Sequence, residues 1–180
     1  RRVRRSRRAV RWPPVSELLD AKLALRREMR AMRRALPDAA DRSRRIWELV
    51  RAMPEVADAG VVMAFASIHG EPDTAPFIDW CRAQGKTVVL PEDEPPPDPS
   101  GVDVVIVPGT AFTADGHRLG QGGGWYDRFL VRLAPDTLTI GVGFAPQLVD
   151  EVPTEEHDVR LGAVVTDAGV IRPEPAPRTR

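Results

Sequence analysis

The chain contains one run that combines residues costly to order with residues able to do chemistry. In "GQGGGWYDRFL" (120–130), Gly122, Gly123 and Gly124 run directly into Trp125, Tyr126, Asp127 and Arg128. Adjacent glycines let backbone N–H groups approach an anion closely, and a helix opening behind them adds its positive dipole end. Arg118 and Arg128 flank the run and are suited to gripping phosphate oxygens, while Asp127 is a carboxylate of the kind magnesium favours. Trp125 and Tyr126 offer flat faces to a ring system. The competing reading is structural: the glycines make a tight entry from strand to helix, and one of the aromatics is buried in the core.

Other positions could join this chemistry. Lys22 and Arg26 are four residues apart and share one helix face, so they either reach a phosphate together or form a solvated basic face. Glu71, in "HGEPD" (69–73), follows an apolar run and is either a ligand-facing carboxylate or a helix-entry residue. "PTEEHDVR" (153–160) supplies Asp158, able to complete a magnesium site, and His157, able to move protons near neutral pH; both could equally be loop residues. Common nucleotide motifs do not account for the chain. "GKT" (85–87) lacks the first glycine of a P-loop and lies between a helix and a strand in the wrong order, and "GVG" (141–143) sits inside a strand.

The elements that must position these residues are legible from periodicity. Leu18, Leu19, Lys22, Leu23, Leu25, Arg26, Met29, Met32 and Arg33 recur at helical spacing, with Ser16 as the expected N-cap and Pro37 closing the helix near Leu36. A second helix is expected from Asp38, through Ile46, Trp47, Leu49 and Val50, until Pro54 stops it. Further helices are expected over 73–86, capped by Asp73 or Thr74 and ended by Gly85, and from Trp125 onward. Five short apolar runs read as strands: 60–67, 87–91, 102–109, 138–145 and 162–167. Strands apolar on both faces and alternating with helices imply an α/β fold, three-layered and Rossmann-like, with a mostly parallel sheet covered by helices on both sides. In such sheets ligands gather beyond the carboxyl ends of the strands, where Glu71 and the glycine run would lie.

Composition sets the outer bounds. The 180 residues are 42% apolar and 29% charged, a globular balance, and no apolar run is long enough to cross a bilayer. Formal charge is +0, yet Arg1, Arg2, Arg4, Arg5, Arg7, Arg8 and Arg11 all precede the first acidic residue, Glu17. Residues 1–15 are therefore expected to be a disordered arm, 16–173 one domain, and 174–180 a flexible tail. The arm could touch nucleic acid weakly and in a salt-sensitive way; it could equally be an untailored extension. One cysteine, Cys81, permits no internal disulfide, and a cytoplasmic monomer is expected.

Taken together, "KLALRREMRAMRRAL", "GEPDT", "VDVVIVPGTAF" continuing into "GHRLGQGGGWYDRFL", and "EEHDVRLGAVVTD" resemble, in order, the 5-formyltetrahydrofolate cyclo-ligase family, also called methenyltetrahydrofolate synthetase. The resemblance implies an enzyme that cyclises 5-formyltetrahydrofolate to 5,10-methenyltetrahydrofolate with ATP and Mg2+, releasing ADP and phosphate. It implies ATP contacts from Lys22, Arg26 and the loop Arg118, Leu119, Gly120, Gln121, Gly122, Gly123, Gly124, Trp125 and Tyr126. Gln121, Gly122, Gly123, Gly124 and Trp125 would also border the folate, Glu71 would hold the pterin, and Asp127 and Asp158 would serve the metal. Arg118 and Arg128 are the expected catalytic cations. One departure stands out: "LPEDEPPPDPSGVDVVIVPG" passes almost directly from one strand to the next, where the family runs through a longer segment that walls the folate. A nucleotide-binding relative without folate turnover is the alternative that this shortening raises.

Overall fold

The computed structural model describes residues 15–68, 70–93, 96–155 and 158–174. The expected arm up to Pro14, the tail beyond Glu174, and His157 lie outside the described residues.

Helix α1 (Val15–Ala35) already includes Ser16, which is therefore a helical residue and not the cap expected of it. The helix ends two residues ahead of Pro37, whose ring forbids helical geometry in the residue before it. Asp38, in left-handed backbone at φ 55°, turns the chain into α2 (Ala39–Arg51), which buries Ser43, Ile46, Trp47 and Val50. Pro54 does more than stop this helix. It occupies the first turn of a short α3 (Pro54–Asp58), where a missing N–H is harmless.

Strand β1 (Val61–Met63) is shorter than the apolar run around it. Beyond Met63 the chain leaves the sheet and is tied by Thr74, whose hydroxyl donates to Phe65 O at 2.7 Å and accepts from Ser67 N at 3.1 Å. Thr74 thus spends its side chain on the loop, and Asp73 Oδ1 accepts from Ala75 N where α4 (Ala75–Ala83) begins. Gly85, at φ 76°, releases the chain into β2 (Thr87–Val89). Lys86 of the "GKT" triplet donates to Ala57 O at 2.6 Å and Ala59 O at 2.7 Å, where it closes the end of α3.

Strand β3 (Val104–Pro108) is followed by β4 (Ala111–Phe112) and β5 (Arg118–Leu119), then α5 (Trp125–Leu130), β6 (Leu138–Val142), β7 (Ala163–Thr166) and β8 (Gly169–Ile171). The main sheet has the order β2-β1-β3-β6-β7-β8, parallel except for the hairpin β7-β8. β4 and β5 form a separate antiparallel ribbon turned at Asp115 and Gly116. The ribbon and β8 are absent from the five strand expectations because runs of two or three residues carry too little periodicity to register.

Alternation along the strands builds two cores. Val62, Val104, Ile106, Ile140, Val142 and Val165 face the layer of α2, α3 and α4, where Trp47 stacks on Phe77 at 4.8 Å. Met63, Val105, Val107 and Val164 face Phe112, Phe129 and Leu130 on the other side. Gly141 and Gly143 leave the space that the Phe112 ring fills: a Cβ on either would stand 2.7 or 2.8 Å from ring carbons. These glycines, like Gly109 beneath the same ring, serve packing. Finally, α1 closes the carboxyl end of the sheet by packing Met29 on Ala111, Leu119 and Val152.

Candidate active site

The strand order reverses between β1 and β3, so the segments leaving those two strands diverge and open a crevice at their carboxyl ends. There α1, the β4-β5 ribbon and the start of α5 enclose a cleft of about 690 Å3. Lys22, Arg26, the continuous run from Arg118 to Arg128 up to the second turn of α5, and Asp158 all line it. Residues separated by more than a hundred positions are thereby brought together as expected.

Alternating glycines shape the loop, and arginines fill the space they leave. A Cβ on Gly120 would lie 2.8 Å from Arg118 Nη1, one on Gly124 2.9 Å from Arg128 Nη1, and one on Gly122 3.6 Å from Arg26 Cζ. Gly122 (φ 110°) and Gly124 (φ 65°) also adopt left-handed backbone that side chains resist. Gly123 has open space around it. Arg26 Nε donates to Gly120 O at 2.9 Å and Arg128 Nη2 to Gly123 O at 3.3 Å, so these guanidinium groups also hold loop carbonyls. The result is a concave loop with cations on three sides, an electrostatic fit for a phosphorylated ligand.

Arg118 anchors the arrangement. Its side chain is 5% exposed, bonded to Asp127 Oδ1, and set 5.8 Å over the Tyr126 ring. Burial pushes the guanidinium pKa down, while the Asp127 carboxylate opposes the shift and keeps the charge in place. Burial likewise pushes the Tyr126 phenol upward, and its hydroxyl has no hydrogen-bond partner among the described residues. The aromatic pair does both things that its sequence allowed: each ring lines the cleft and also packs on the second core, Trp125 stacking on Phe129 at 4.9 Å.

Asp127 and Asp158 present two carboxylates to one cleft, a donor set that suits Mg2+, which takes one or two protein oxygens and completes its shell with water and phosphate. Among the described residues no group of three or more His, Cys, Asp and Glu is gathered for a metal.

Glu71 is the one expected site residue that does not line this cleft. It stands at the cleft's edge, joined to it through the loop, where Gln121 Nε2 donates to Glu71 Oε1 at 3.0 Å and Arg30 Nη2 donates to Gln121 Oε1 at 2.8 Å. Arg30 joins the site without having been expected there, as do Glu155, which accepts from Lys22 Nζ at 2.6 Å, and the exposed apolar rim of Leu19 and Val131. A signal for Arg30 existed: Lys22, Arg26, Arg30 and Arg33 recur at spacings of four, four and three, a basic stripe down one helix face.

Fold and cleft together define a parallel α/β protein whose strand-end site is built for an anionic ligand. The 5-formyltetrahydrofolate cyclo-ligase family pattern matches residues 19–97 and 93–167, and the chain belongs to that family. It is 35% identical over 151 residues to the 5-formyltetrahydrofolate cyclo-ligase of Escherichia coli K12, spanning 65% of this chain and 83% of that relative. It is 38% identical over 98 residues to the cyclo-ligase of Mycolicibacterium smegmatis, covering 49% of this chain and 50% of that one. In fold it is similar to the 5,10-methenyltetrahydrofolate synthetase of Aquifex aeolicus, with a TM-score of 0.75 at 24% identity over 88% of this chain and 96% of the other. The Mycoplasma pneumoniae synthetase gives 0.71 at 23% identity over 81% and 98%. The chain is accordingly a ligase of folate metabolism. Among the described residues no helix is long and apolar enough to cross a membrane.

Proposed function

We propose that the chain converts 5-formyltetrahydrofolate and ATP into 5,10-methenyltetrahydrofolate, ADP and phosphate. The observation that carries this reading is the convergence of Lys22, Arg26, Arg118 and Arg128 on one glycine loop, with Asp127 and Asp158 in the same cleft and Glu71 bonded to its edge.

The reaction needs positioning and charge stabilisation more than covalent help from the protein. The formyl oxygen attacks the γ-phosphorus and ADP leaves; N10 then attacks the activated carbon, phosphate departs with that oxygen, and N10 loses its proton. The loop from Gly120 to Gly124 receives the triphosphate, and Lys22 and Arg26 neutralise its charge from α1. Arg118 and Arg128 stabilise the oxygens of the group in transfer, Arg118 from a position that burial and Asp127 hold rigid. Glu71 orients the pterin, and Gln121 to Trp125 border it. Mg2+ held by Asp127 and Asp158 would offset the charge of the β- and γ-phosphates.

The short connection between Val89 and Val104, whose described residues include one 3-10 turn at Pro99–Gly101, favours a second reading in which nucleotide is bound but the folate wall is incomplete. Mixing the protein with 5-formyltetrahydrofolate, ATP and magnesium and following methenyltetrahydrofolate absorbance separates the two. Product formation is expected. Retained ATP binding with no product would sink the first reading in favour of the second.

A further inference from the structure

Below Glu71 lies a second cavity of about 280 Å3, lined among others by Arg33, Ser43, Glu71, Asp73 and Phe144. The side chains of Arg33 and Glu71 are only 4% and 5% exposed. A guanidinium taken out of water normally has its donors satisfied, because each unmet N–H forfeits its hydration without return. Here Nε and Nη1 of Arg33 have no acceptor among the described residues. The nearest carboxylate oxygen, Glu71 Oε1, stands 3.8 Å from Nη1, close enough to compensate charge and too far for a hydrogen bond. Glu71 is drawn away by its other partners, Gln121 Nε2 at 3.0 Å and Ile68 N at 3.2 Å.

The cavity therefore presents an acceptor and a set of unmet donors side by side. That pair complements a ring edge on which N–H groups adjoin a carbonyl oxygen, the pattern of the 2-amino-4-oxo edge of a reduced pterin. We propose that Arg33 is a second substrate-recognition residue of this pocket, donating to the 4-oxo oxygen while Glu71 accepts from N3–H and the 2-amino group. This rests on Glu71 being the pterin residue of the function proposed above. The charge balance agrees with it: Arg33 and Glu71 neutralise one another, so the pocket suits an uncharged polar ring better than an anion.

The test compares 5-formyltetrahydrofolate with its 4-thioxo analogue, which keeps both N–H donors for Glu71 and weakens only the acceptor. Binding by wild type should fall about tenfold on the change to sulfur, the loss expected for a hydrogen bond to a charged donor. In Arg33→Met the natural substrate should bind about tenfold or more weakly, and the preference for oxygen over sulfur should vanish. ATP affinity measured without folate should stay unchanged. A residue that only supports the fold would weaken both ligands alike and leave the preference intact, which would overturn the proposal. If Arg33→Met fails to fold, Arg33→Lys and the wild-type comparison decide: equal binding of oxygen and sulfur analogues by wild type is sufficient to reject it. Wild type that binds neither ligand would instead overturn the assignment of the substrate, a result distinct from loss of the Arg33 role alone.

Discussion

At the scale of single residues, the pair Arg118–Asp127 has two duties that pull apart under mutation. Asp127 is the acceptor for a buried guanidinium and is also the carboxylate proposed to hold magnesium. Asp127→Ala removes both, and stranding Arg118 should lower stability by about 1–3 kcal/mol, reduced by the partial exposure of Asp127 itself. Asp127→Asn keeps an oxygen for Arg118 and discards the charge. Its melting temperature should fall less than that of Asp127→Ala, because a hydrogen bond to Arg118 survives without the compensating charge, while turnover drops at least about a hundredfold, the scale of losing an electrostatic group at a phosphoryl-transfer site. Wild-type turnover by Asp127→Asn would show that the metal assignment is wrong. Cys81 is a free, buried cysteine outside the cleft. Burial pushes its thiol up to about 11, so native protein should resist a disulfide reagent at pH 8 and react only after unfolding. Because the folded-state pKa is raised above the ordinary 9.0, the contribution of Cys81 to stability is present below pH 9 and is lost between 9 and 11.

At the scale of elements, α1 and the glycine loop act as one unit, with Arg26 on Gly120 O and Arg30 on Gln121 linking the helix to the loop. The three consecutive glycines are not equivalent. Gly123 has open space and ordinary backbone, whereas Gly122 and Gly124 have left-handed φ angles. Gly123→Ala should leave the melting temperature within about 1 °C of wild type, as for a surface change, but intrude on the phosphate approach and raise the ATP dissociation constant. Gly122→Ala should instead lose about 1–2 kcal/mol through strain at positive φ, measurable by denaturant unfolding. A Gly123→Ala protein with unaltered ATP affinity would remove the loop from the nucleotide site. The repeating glycines marked this element in the sequence, but the reason for each became visible only with the arginines in place, because those side chains arrive from α1, β5 and α5 separately.

At the scale of the whole molecule, the sheet sets the distance between the two halves of the site. β3 and β6 pair over five residues, and the ring of Phe112 locks the ribbon that carries Arg118 onto them through the space left by Gly141 and Gly143. Gly141→Ala would place a methyl 2.6 Å from Leu161 Cδ1 and 2.7 Å from the Phe112 ring. Overpacking of this kind should cost about 1–3 kcal/mol, seen as a fall of several degrees in melting temperature. Since the ribbon would shift with Phe112, ATP binding should weaken as well, although the mutation lies outside the cleft. An unchanged melting temperature would mean that the ring relaxes freely.

The order of the main strands and of the helices other than α3, the parallel sheet and most of the cleft were legible in the residues alone. Periodicity and the punctuation by Pro37, Pro54 and Gly85 are local properties, and the strand-end rule then places Arg118 to Arg128 near Glu71. Three things were decided only in three dimensions. The β4-β5 ribbon and β8 exist because neighbouring chain offers them hydrogen bonds, not because their few residues prefer extended backbone. Glu71 stands at the edge of the main cleft, bonded to its loop through Gln121. The unmet donors of Arg33 are a property of burial, which depends on how α1 lies against the turn carrying Glu71. Spacing along a chain can bring charges to one face of one element, whereas the solvent and partners available to each charge are set by every element packed around it.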